Sequence, residues 1–430
     1  MSKIKNFREL AKNDLRKKAL EIAEAGLAAI DTQKIIREAV VLTDEKLVVK
    51  DKEFLLKDVR RIFVVGVGKC SLEAATALEK ILGNKIHAGV VADIREGELS
   101  RIKYYQATHP FPSEINVKIT SEIIKLLSGL NEDDLVIFII SGGGSTILCQ
   151  SSSLDYQDEA AVLDRLIRSG AEIQEINTLR KHLSVARGGY LAKYAYPARV
   201  ASLIFSDVVG NRLEFVSSGP TVKDTTTLDD AKKILEKHNS QGRFDFFMDK
   251  IIETPKEEKY FEKVDNILLV SNKIALSAMA DKASELGLTA KIMTDKMSGE
   301  AKDVGLKIIE DLNKVGGGSA LLYGGETTVT IKEKGHGGRN QELGLSALRS
   351  IRGDQALVAL ASDGHDNSEI AGVLCDIITK DTATEKGLDL EKYLAVNLSY
   401  DFWQKNGDFL LTGPTGSNIS DLIIAIYESR

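Results

Sequence analysis

The chain has 430 residues and a formal net charge of −6, from 57 Lys and Arg against 63 Asp and Glu. Its hydrophobic fraction of 43% and charged fraction of 28% are typical of a globular protein, and the acidic balance argues against a nucleic-acid-binding surface. A chain of this length predicts two or three domains.

Cysteine usage and hydropathy limit the cellular setting. Cys70, Cys149 and Cys375 include no close pair, so neither a disulfide framework nor a zinc knuckle is expected. The N-terminal residues are charged, and apolar runs such as Leu135–Ile140 have the length of a strand rather than of a membrane span. We expect a cytoplasmic protein without membrane or nucleic-acid partners, and the sequence leaves a homodimer open.

The first half of the chain predicts an α/β domain. Apolar residues from Leu10 to Leu27 have helical spacing and predict one or two amphipathic helices. Strand-like and helix-like stretches then alternate, which predicts a mostly parallel sheet with helices on both faces. The predicted strands are Arg61–Gly66, Ile86–Ala92, Leu135–Ile140 and Val200–Phe205, and the predicted helices are Ser71–Leu82 and Glu114–Leu127, the latter capped by Ser113.

The second half predicts a further α/β domain. A charged, strand-poor stretch, Lys232–Lys263, places the boundary near residue 250, so the expected domains are 1–250 and 251–430. Strand-like runs with helices between several of them follow this stretch. They are Asn266–Ser271, Ala290–Met293, Ala320–Tyr323, Val329–Lys332, Ala356–Ala361 and Phe409–Thr412.

Ligands of open α/β sheets bind beyond the carboxyl ends of the strands, so the residues after each predicted strand are the candidates for function. After the first strand, Phe63 and Cys70 break the spacing of a Walker loop, and Ser71 stands where a dinucleotide fingerprint has its third glycine. The turn still presents Lys69 to a phosphate or carboxylate, although a solvated lysine is the alternative.

The third strand of the first half leads into a glycine-rich turn, Ser141-Gly142-Gly143-Gly144-Ser145. Exposed backbone N–H groups and the start of a helix would favour an anion there. A tight strand-to-helix turn without a ligand is the alternative.

Two other tracts of the first half carry charged candidates. Asp207 follows the strand Val200–Phe205, where a carboxylate could accept a proton from a hydroxyl or hold magnesium; a turn or capping role is the alternative. Arg180 and Lys181 lie on a predicted helix and could bind a substrate carboxylate or form a solvated helix face.

The tract Tyr323–Glu342 has the densest set of candidates in the second half. Gly324 and Gly325 permit a sharp turn close to a ligand. Hydroxyl, guanidinium and carboxylate groups suit phosphate beside a metal ion, although a glycine-rich hairpin is the alternative. The remaining candidates of the tract are Glu326, Thr327, Arg339 and Asn340.

Two later loops also follow predicted strands. Asp363 is a metal-carboxylate candidate in Ser362-Asp-Gly-His-Asp366. The loop Thr412–Asn418 offers backbone and hydroxyl groups to phosphate oxygens through Gly413, Thr415 and Asn418. Besides the tract Tyr323–Glu342, five such loops follow five predicted strands, and together they indicate a shared binding role better than any one of them does.

These tracts, in this order, resemble the glycerate 2-kinase family whose second half is the MOFRL domain. The resemblance extends over nearly the whole chain. In the first half it depends on Gly66–Lys69, His109–Pro112, Ser141–Ser145, Asn177–Ser184, Gly188-Gly189, Ser206–Gly210 and Ser218–Thr221, and in the second on Gly324–Thr328, Gly337–Glu342, Asp363-Gly364, Thr412–Asn418 and Asp421.

The resemblance implies an ATP- and Mg²⁺-dependent kinase that phosphorylates the 2-hydroxyl of D-glycerate. It implies a Rossmann-like α/β/α N-terminal domain, a smaller MOFRL-type domain and an active-site cleft between them. By motif, Lys69, Asp207 and Arg339 would be catalytic, Arg180 and Lys181 would bind substrate, and Glu326 and Asp363 would hold the metal. The implied nucleotide- and phosphate-binding residues are Gly142, Gly143, Gly144, Ser145, Gly324, Gly325, Thr327, Asn340, Gly413, Thr415 and Asn418.

Departures from the family pattern keep the acceptor open. Asn367-Ser-Glu369 stands where the family tends to have Gly-Pro-Thr, Asn211 where it has Asp, and Arg187 where it has Lys. A kinase for another small hydroxy acid and an NAD(P)H-dependent hydroxypyruvate reductase are the alternative enzymes. A regulatory protein that binds nucleotide or sugar phosphate is the alternative without catalysis.

Overall fold

The computed structural model describes residues 2–208, 210, 212–332 and 335–428, and these form two compact units. The first unit is continuous, Thr32–Leu269. The second combines the described residues before Thr32 with those after Leu269. No helix within the described ranges is long and apolar enough to cross a membrane.

The secondary structure alternates between strands and helices along both units. The strands are β1 (Val40–Leu42), β2 (Lys46–Val49), β3 (Lys52–Leu55), β4 (Arg61–Val67), β5 (Ile86–Asp93), β6 (Lys103–Gln106), β7 (Asp134–Ser141), β8 (Arg199–Phe205), β9 (Val264–Val270), β10 (Thr289–Met297), β11 (Ser319–Gly325), β12 (Gln355–Ala361), β13 (Gly372–Cys375), β14 (Phe409–Leu410) and β15 (Asp421–Tyr427). The helices are α1 (Phe7–Leu10), α2 (Asp14–Ala29), α3 (Thr32–Ala39), α4 (Ser71–Leu82), α5 (Glu114–Leu127), α6 (Gly144–Ile147), α7 (Tyr156–Arg168), α8 (Ile173–His182), α9 (Tyr190–Ala195), α10 (Leu228–His238), α11 (Asp245–Met248), α12 (Asn272–Glu285), α13 (Ala301–Val315), α14 (Arg339–Ala347), α15 (Ile377–Glu385), α16 (Leu390–Ala395) and α17 (Ser399–Asn406).

The first unit is built on a sheet with the spatial order β6-β5-β4-β7-β8-β9. The neighbours from β6 to β8 pair in parallel, as the alternation of the sequence predicted. The chain leaves β4 towards β6 and then returns to the other side of β4 at β7, so a topological switch point lies between these two strands. Ligands of doubly wound sheets bind at such a point.

Apolar β-branched and aromatic residues of the central strands form the core of this unit. Val65, Val136 and Phe138 are fully buried and pack with residues of α5 such as Ile119 and Ile123. Burial on both faces explains why these strands are continuous apolar runs in the sequence. The predicted helices α4 and α5 have the observed bounds. Ser113 is the N-cap residue of α5, but its side chain makes no capping hydrogen bond.

The second unit contains a mixed sheet with the order β10-β11-β15-β12-β13-β14. Among the described strand pairings of this sheet, only that of β10 with β11 is parallel; the strand β15 lies antiparallel between β11 and β12. The predicted strand Val329–Lys332 is wrong, because this segment has no ladder partner among the described residues and the Ile331 side chain is 72% exposed. A short apolar run identifies a strand only where a neighbouring strand accepts its hydrogen bonds.

The division of the chain differs from the expected 1–250 and 251–430. Strand β9, expected in the second domain, is an edge strand of the first sheet, and the division falls after Leu269. Helix α2 packs on α12 within the second unit. Its Arg16 is fully buried and bonds both carboxylate oxygens of Asp376 at 2.6 and 2.7 Å and both of Asp408 at 2.8 Å. The partners of β9 and α2 are set by long-range pairing, which periodicity does not encode.

Candidate functional site

Three candidate loops share one edge of the sheet in the first unit. The registers pair Val67 with Ile140 and Ser141 with Phe205, so β4, β7 and β8 end side by side. Directly after these three ends come the turn that carries Lys69 (the lysine turn), the glycine turn Gly142–Ser145 and the segment with Asp207. In the sequence these loops are far apart, and the parallel register places them side by side at the edge that contains the switch point.

The lysine turn and the glycine turn are locked together by backbone contacts. The Lys69 N–H donates to Gly142 O at 2.9 Å, and the Cys70 N–H donates to the Ser141 hydroxyl at 3.3 Å. Gly68 has φ +119, and a Cβ there would lie 2.2 Å from the Ser141 oxygen. Only glycine fits this close approach, so the lysine is held at a fixed point beside the glycine turn.

A serine pair from the segment after β8 supports the glycine turn. The Ser217 hydroxyl donates to Ser141 O at 2.6 Å, and the Ser145 and Ser218 hydroxyls are 2.9 Å apart. Ser217 and Ser218 have φ of 52° and 57°, a costly conformation for consecutive non-glycine residues that clusters at functional sites. Neither serine was predicted as a site residue, although the resemblance included Ser218–Thr221 and the run Ser217-Ser-Gly-Pro220 was a signal for unusual backbone.

Asp207 and His109 also border this edge. Burial raises the pKa of the Cys70 thiol to about 12, and the negative charge of Asp207 contributes to the rise, so this carboxylate lies near the lysine turn. A Cβ on Gly143 would lie 3.2 Å from Lys69 Cγ and 3.5 Å from His109 Cδ2. Lys69, Asp207 and the glycine turn therefore occupy one neighbourhood. The departure at Asn211 lies outside the described residues.

The two cations of α8 have different surroundings. The Lys181 ammonium lies 2.5 Å from the Asp224 carboxylate, and its side chain is 3% exposed. Burial acts to raise the pKa of Asp224, but the Lys181 charge holds it below its usual range. Lys181 is thus committed to a buried ion pair, whereas the half-buried Arg180 guanidinium makes no hydrogen bond or ion pair with any described residue.

The second unit has its own cluster at the edge where β11 and β12 end. Asp421 begins β15 and lies opposite both Gly325 and Ala361. Arg339, the first residue of α14, binds Asp421 through Nε at 2.5 Å and Nη2 at 2.9 Å. Its Nη2 also lies 3.1 Å from Glu326. Burial acts against the guanidinium charge, but the bond to Asp421 raises the pKa of Arg339 above its ordinary value.

Asp366 fixes the start of α14. Its carboxylate accepts the N–H groups of Asn340 at 3.2 Å and Gln341 at 2.8 Å. Burial, with a smaller effect from the Asp421 charge, raises the pKa of Asp366 to about 6. The sequence prediction selected Asp363 in this loop and not Asp366. An aspartate that caps the start of a helix distant in sequence leaves no local signal, so Asp366 could not be found this way.

The remaining loops of the second unit are also held in place. The Thr415 N–H donates to Asp363 O at 3.1 Å and its hydroxyl to Ser362 O at 2.5 Å. A Cβ on Gly364 would lie 2.1 Å from Gly413 O, so the two loops are in direct backbone contact. The charge of Asp363 acts on Asp421, and burial raises the pKa of Asp421.

Buried polar atoms without partners lie in the same cluster. The Thr327 hydroxyl and the Asn340 Oδ1 have no hydrogen-bond partner among the described residues, although such groups are normally satisfied. Within that described part, no three or more His, Cys, Asp and Glu side chains are grouped to hold a metal ion. The departure at Asn367 keeps a left-handed backbone, with φ 56°, which asparagine adopts more readily than most residues.

Comparison with known families covers both units. The model of a domain of unknown function, DUF4147, matches residues 18–253. The model of the MOFRL family matches residues 319–421.

Similar proteins match along almost the whole chain. The glycerate 2-kinase of Pyrococcus horikoshii is 39% identical, covering 97% of this chain and 98% of the relative. The D-glycerate 2-kinase of Thermotoga maritima is 35% identical, covering 96% and 98%. A crystal structure of glycerate kinase from Thermotoga maritima superposes with a TM-score of 0.83 at 34% identity, covering 96% of this chain and 99% of that one.

Proposed function

The chain belongs to the glycerate 2-kinase family, and from that membership we propose that it transfers the terminal phosphoryl group of ATP to the 2-hydroxyl of D-glycerate. The products are 2-phosphoglycerate and ADP. The observation that carries the proposal is the meeting of the lysine turn, the glycine turn and the Asp207 segment at one switch point. That edge combines backbone N–H donors, a cation and a carboxylate, the groups that phosphoryl transfer to an alcohol requires.

In the first unit we assign the roles by chemistry. The N–H groups of Gly142, Gly143, Gly144 and Ser145 bind phosphate oxygens. Lys69 neutralises charge on the transferring group. Asp207 orients the 2-hydroxyl or accepts its proton. Phosphoryl transfer passes through a loose, highly charged transition state, so positioning and electrostatics supply most of the rate.

In the second unit Arg339 is the catalytic residue of the proposal. Its guanidinium is oriented by the two-point bond to Asp421, and its charge stabilises the departing phosphoryl oxygens. The flanking residues bind further phosphate or nucleotide groups, and the unpartnered Thr327 hydroxyl and Asn340 Oδ1 support this role. These flanking residues are Gly324, Gly325, Thr327, Asn340, Gly413, Thr415 and Asn418.

The same cluster fits a magnesium ion that the nucleotide brings with it. Such an ion needs only one or two protein carboxylates, because phosphate oxygens and water complete its shell. Glu326 lies 3.1 Å from Arg339 Nη2, and the charge of Asp363 acts on Asp421. The carboxylates of Glu326 and Asp363 are therefore our candidates to hold the magnesium ion. A bound magnesium ion would offset negative charge on the phosphate oxygens. Arg339 would keep the same role, held by Asp421.

Substrate binding is assigned to Arg180. Its guanidinium has no acceptor among the described residues, whereas the Lys181 ammonium is occupied by Asp224. We therefore do not extend the substrate role to Lys181. A free guanidinium is well suited to a carboxylate, which D-glycerate carries.

A nicotinamide-dependent reductase is the competing enzyme. It would need a dinucleotide fingerprint, and Ser71 stands in place of the third glycine after β4. The kinase uses Lys69, Asp207 and Arg339 together, and no role for that set follows from hydride transfer.

One assay separates these reactions. The protein is incubated with D-glycerate and Mg-ATP while ADP is measured, and separately with hydroxypyruvate and NAD(P)H while nicotinamide absorbance is followed. We expect ADP formation that depends on D-glycerate, and ³¹P and ¹³C NMR of the product should place the phosphate on carbon 2. Nicotinamide consumption without ADP formation would favour the reductase. Inactivity towards a panel of small hydroxy acids would favour the binding protein.

A further inference from the structure

A small cavity lies beside the glycine turn of the first unit. Its volume is about 120 Å³, below the roughly 300–1,000 Å³ of pockets that hold larger ligands. Ser145 and the proline loop that includes Phe111 line one part of it, and Arg180 and Arg187 line another. This space suits a small organic molecule and is too small for a nucleotide.

Arg187 is 1% exposed, and not all of its N–H donors have a hydrogen-bond partner among the described residues. Its Nη1 lies 2.5 Å from the Glu159 carboxylate and donates to Arg180 O at 3.3 Å. Its Nε has no hydrogen-bond partner among the described residues. Because buried donors are nearly always paired, this N–H is a candidate for a ligand oxygen.

Arg180 adds a second guanidinium to the same wall. No described residue accepts a hydrogen bond from it. Burial, followed by the positive charge of Arg187, lowers the pKa of Arg180 to about 10, while Glu159 acts in the opposite direction. Two guanidinium groups therefore share one carboxylate, and the wall has a surplus positive charge.

The other acidic residue of the cavity does not remove that surplus. Asp164 lines the cavity, but its carboxylate is bound by Arg168 Nε at 2.7 Å on the exposed side of α7. Leu163 and Pro112 supply apolar wall, and a charge beside apolar surface acts more strongly on a ligand than one in open water.

The cavity is connected to the phosphate-binding turn through a short chain of contacts. The Gly188 N–H, next to Arg187, donates to Ser218 O at 2.9 Å. The Ser218 hydroxyl is 2.9 Å from that of Ser145, the last residue of the glycine turn. A ligand held by the two arginines would thus lie next to the proposed phosphate site.

We propose that Arg180 and Arg187 together bind the carboxylate of the acceptor, and that this cavity restricts the acceptor to small hydroxy acids with one carboxylate. The inference rests on the proposed kinase function and names the acceptor subsite. Arg187 Nε and the Arg180 guanidinium supply the N–H donors, and Glu159 keeps Arg187 in position. A neutral polyol such as glycerol gains no binding free energy from the surplus charge. A second carboxylate on the acceptor would lie against the apolar wall, where it would lose water without gaining a partner.

The test compares Arg180→Ala and Arg187→Lys with wild type. We expect Arg180→Ala to raise KM for D-glycerate about 10- to 100-fold, the range for a lost hydrogen bond to a charged group, with KM for ATP changed less than twofold. Arg187→Lys, which keeps the charge but removes Nε, should raise the same KM by a smaller factor. Arg180→Lys should recover part of the loss. Arg165→Ala, on the same helix as Glu159 but outside the cavity, is the matched control and should behave as wild type.

Calorimetric titration of the nucleotide-free protein with D-glycerate separates this inference from the kinase assignment. Wild type should bind D-glycerate and not glycerol, and Arg180→Ala should lose that binding. Such a result supports the subsite even if no ADP forms, in which case the kinase assignment alone fails. An active wild type with an Arg180→Ala KM and affinity within twofold of its own would overturn the subsite, as would a wild type that binds no D-glycerate.

Discussion

Arg339 and Asp421 form a two-point ion pair across 82 residues of sequence, with Nε 2.5 Å from Oδ2 and Nη2 2.9 Å from Oδ1. Asp421 is almost completely buried at the first residue of β15, and Arg339 is the first residue of α14. A fork-to-fork pair fixes both the position and the plane of a guanidinium. The sheet therefore orients the residue on which the proposed transfer depends.

We expect Arg339→Ala to lower kcat about 30- to 1000-fold, because losing one contact to a charged transition state costs about 2–4 kcal/mol of barrier. Arg339→Lys should recover only part of the rate, since lysine lacks the planar fork. Steady-state kinetics with D-glycerate and Mg-ATP measure this. The control is Arg349→Ala, a half-exposed arginine paired with Glu391 elsewhere in the same unit. More than half of wild-type turnover in Arg339→Ala would remove Arg339 from the catalytic assignment.

A double-mutant cycle tests whether Asp421 acts through Arg339. Asp421→Asn removes the charge that orients the guanidinium, so we expect kcat to fall with little change in KM for ATP. In the Arg339→Ala background the same substitution should have a much smaller effect, because residues that act as a unit are not additive. Additive losses in kcat would mean that Asp421 contributes independently of Arg339.

The glycine turn offers a steric test with a rescue. A Cβ on Gly144 would lie 2.2 Å from the Ser217 hydroxyl and 2.9 Å from its Cβ, so Gly144→Ala should displace the turn and reduce kcat/KM at least about tenfold, the cost of a barrier change of ~1.4 kcal/mol. Ser217→Gly in the same chain removes the clash and suits the left-handed backbone at φ 52°, so the double variant should regain activity. Gly129→Ala, with no atom within 4 Å, is the control. Failure of the double variant to exceed the single one would place the defect elsewhere.

The buried carboxyl of Asp366 predicts a pH dependence of stability. Its pKa is raised in the folded state from 3.8 to about 6, so protonation favours folding. The stabilisation from this group is complete below about pH 3.8 and is lost as the pH rises through about 6. Urea unfolding between pH 4 and 8 should show wild type losing stability relative to Asp366→Asn across that window. A difference that is constant with pH would exclude a raised pKa.

Helix α2 should be essential to the second unit. Arg16→Met leaves the buried Asp376 without its cation and Asp408 with only the half-exposed Lys12 at 3.0 Å, and breaking one partner of a buried pair costs about 3–5 kcal/mol. Urea unfolding should report that loss, and adding Asp376→Asn and Asp408→Asn should recover part of it. Lys17→Ala, whose side chain is 58% exposed, should change the free energy of unfolding by less than about 0.5 kcal/mol. A small effect of Arg16→Met would contradict a structural role for α2.

Local sequence determined the central strands and two of the helices of the first unit, and most of its candidate residues. Apolar runs buried on both faces gave the strands β4, β7 and β8, and the 3.6-residue period gave α4 and α5 within their observed bounds. The glycines at strand ends were visible for the same reason, because each loop is specified by its own residues. The composition of these loops was enough to indicate phosphate chemistry.

Long-range pairing decided everything else. Neither the insertion of β15 between β11 and β12 nor the return of α2 to the second unit has a local signature. The charge partners depend on long-range pairing as well: Lys181 pairs with Asp224 and Arg339 with Asp421, whereas Arg180 forms no ion pair within the described residues and shares the charge of Glu159 with Arg187. A sequence fixes which groups a protein has, but the free energy of each charge depends on which groups the fold brings within a few ångströms of it.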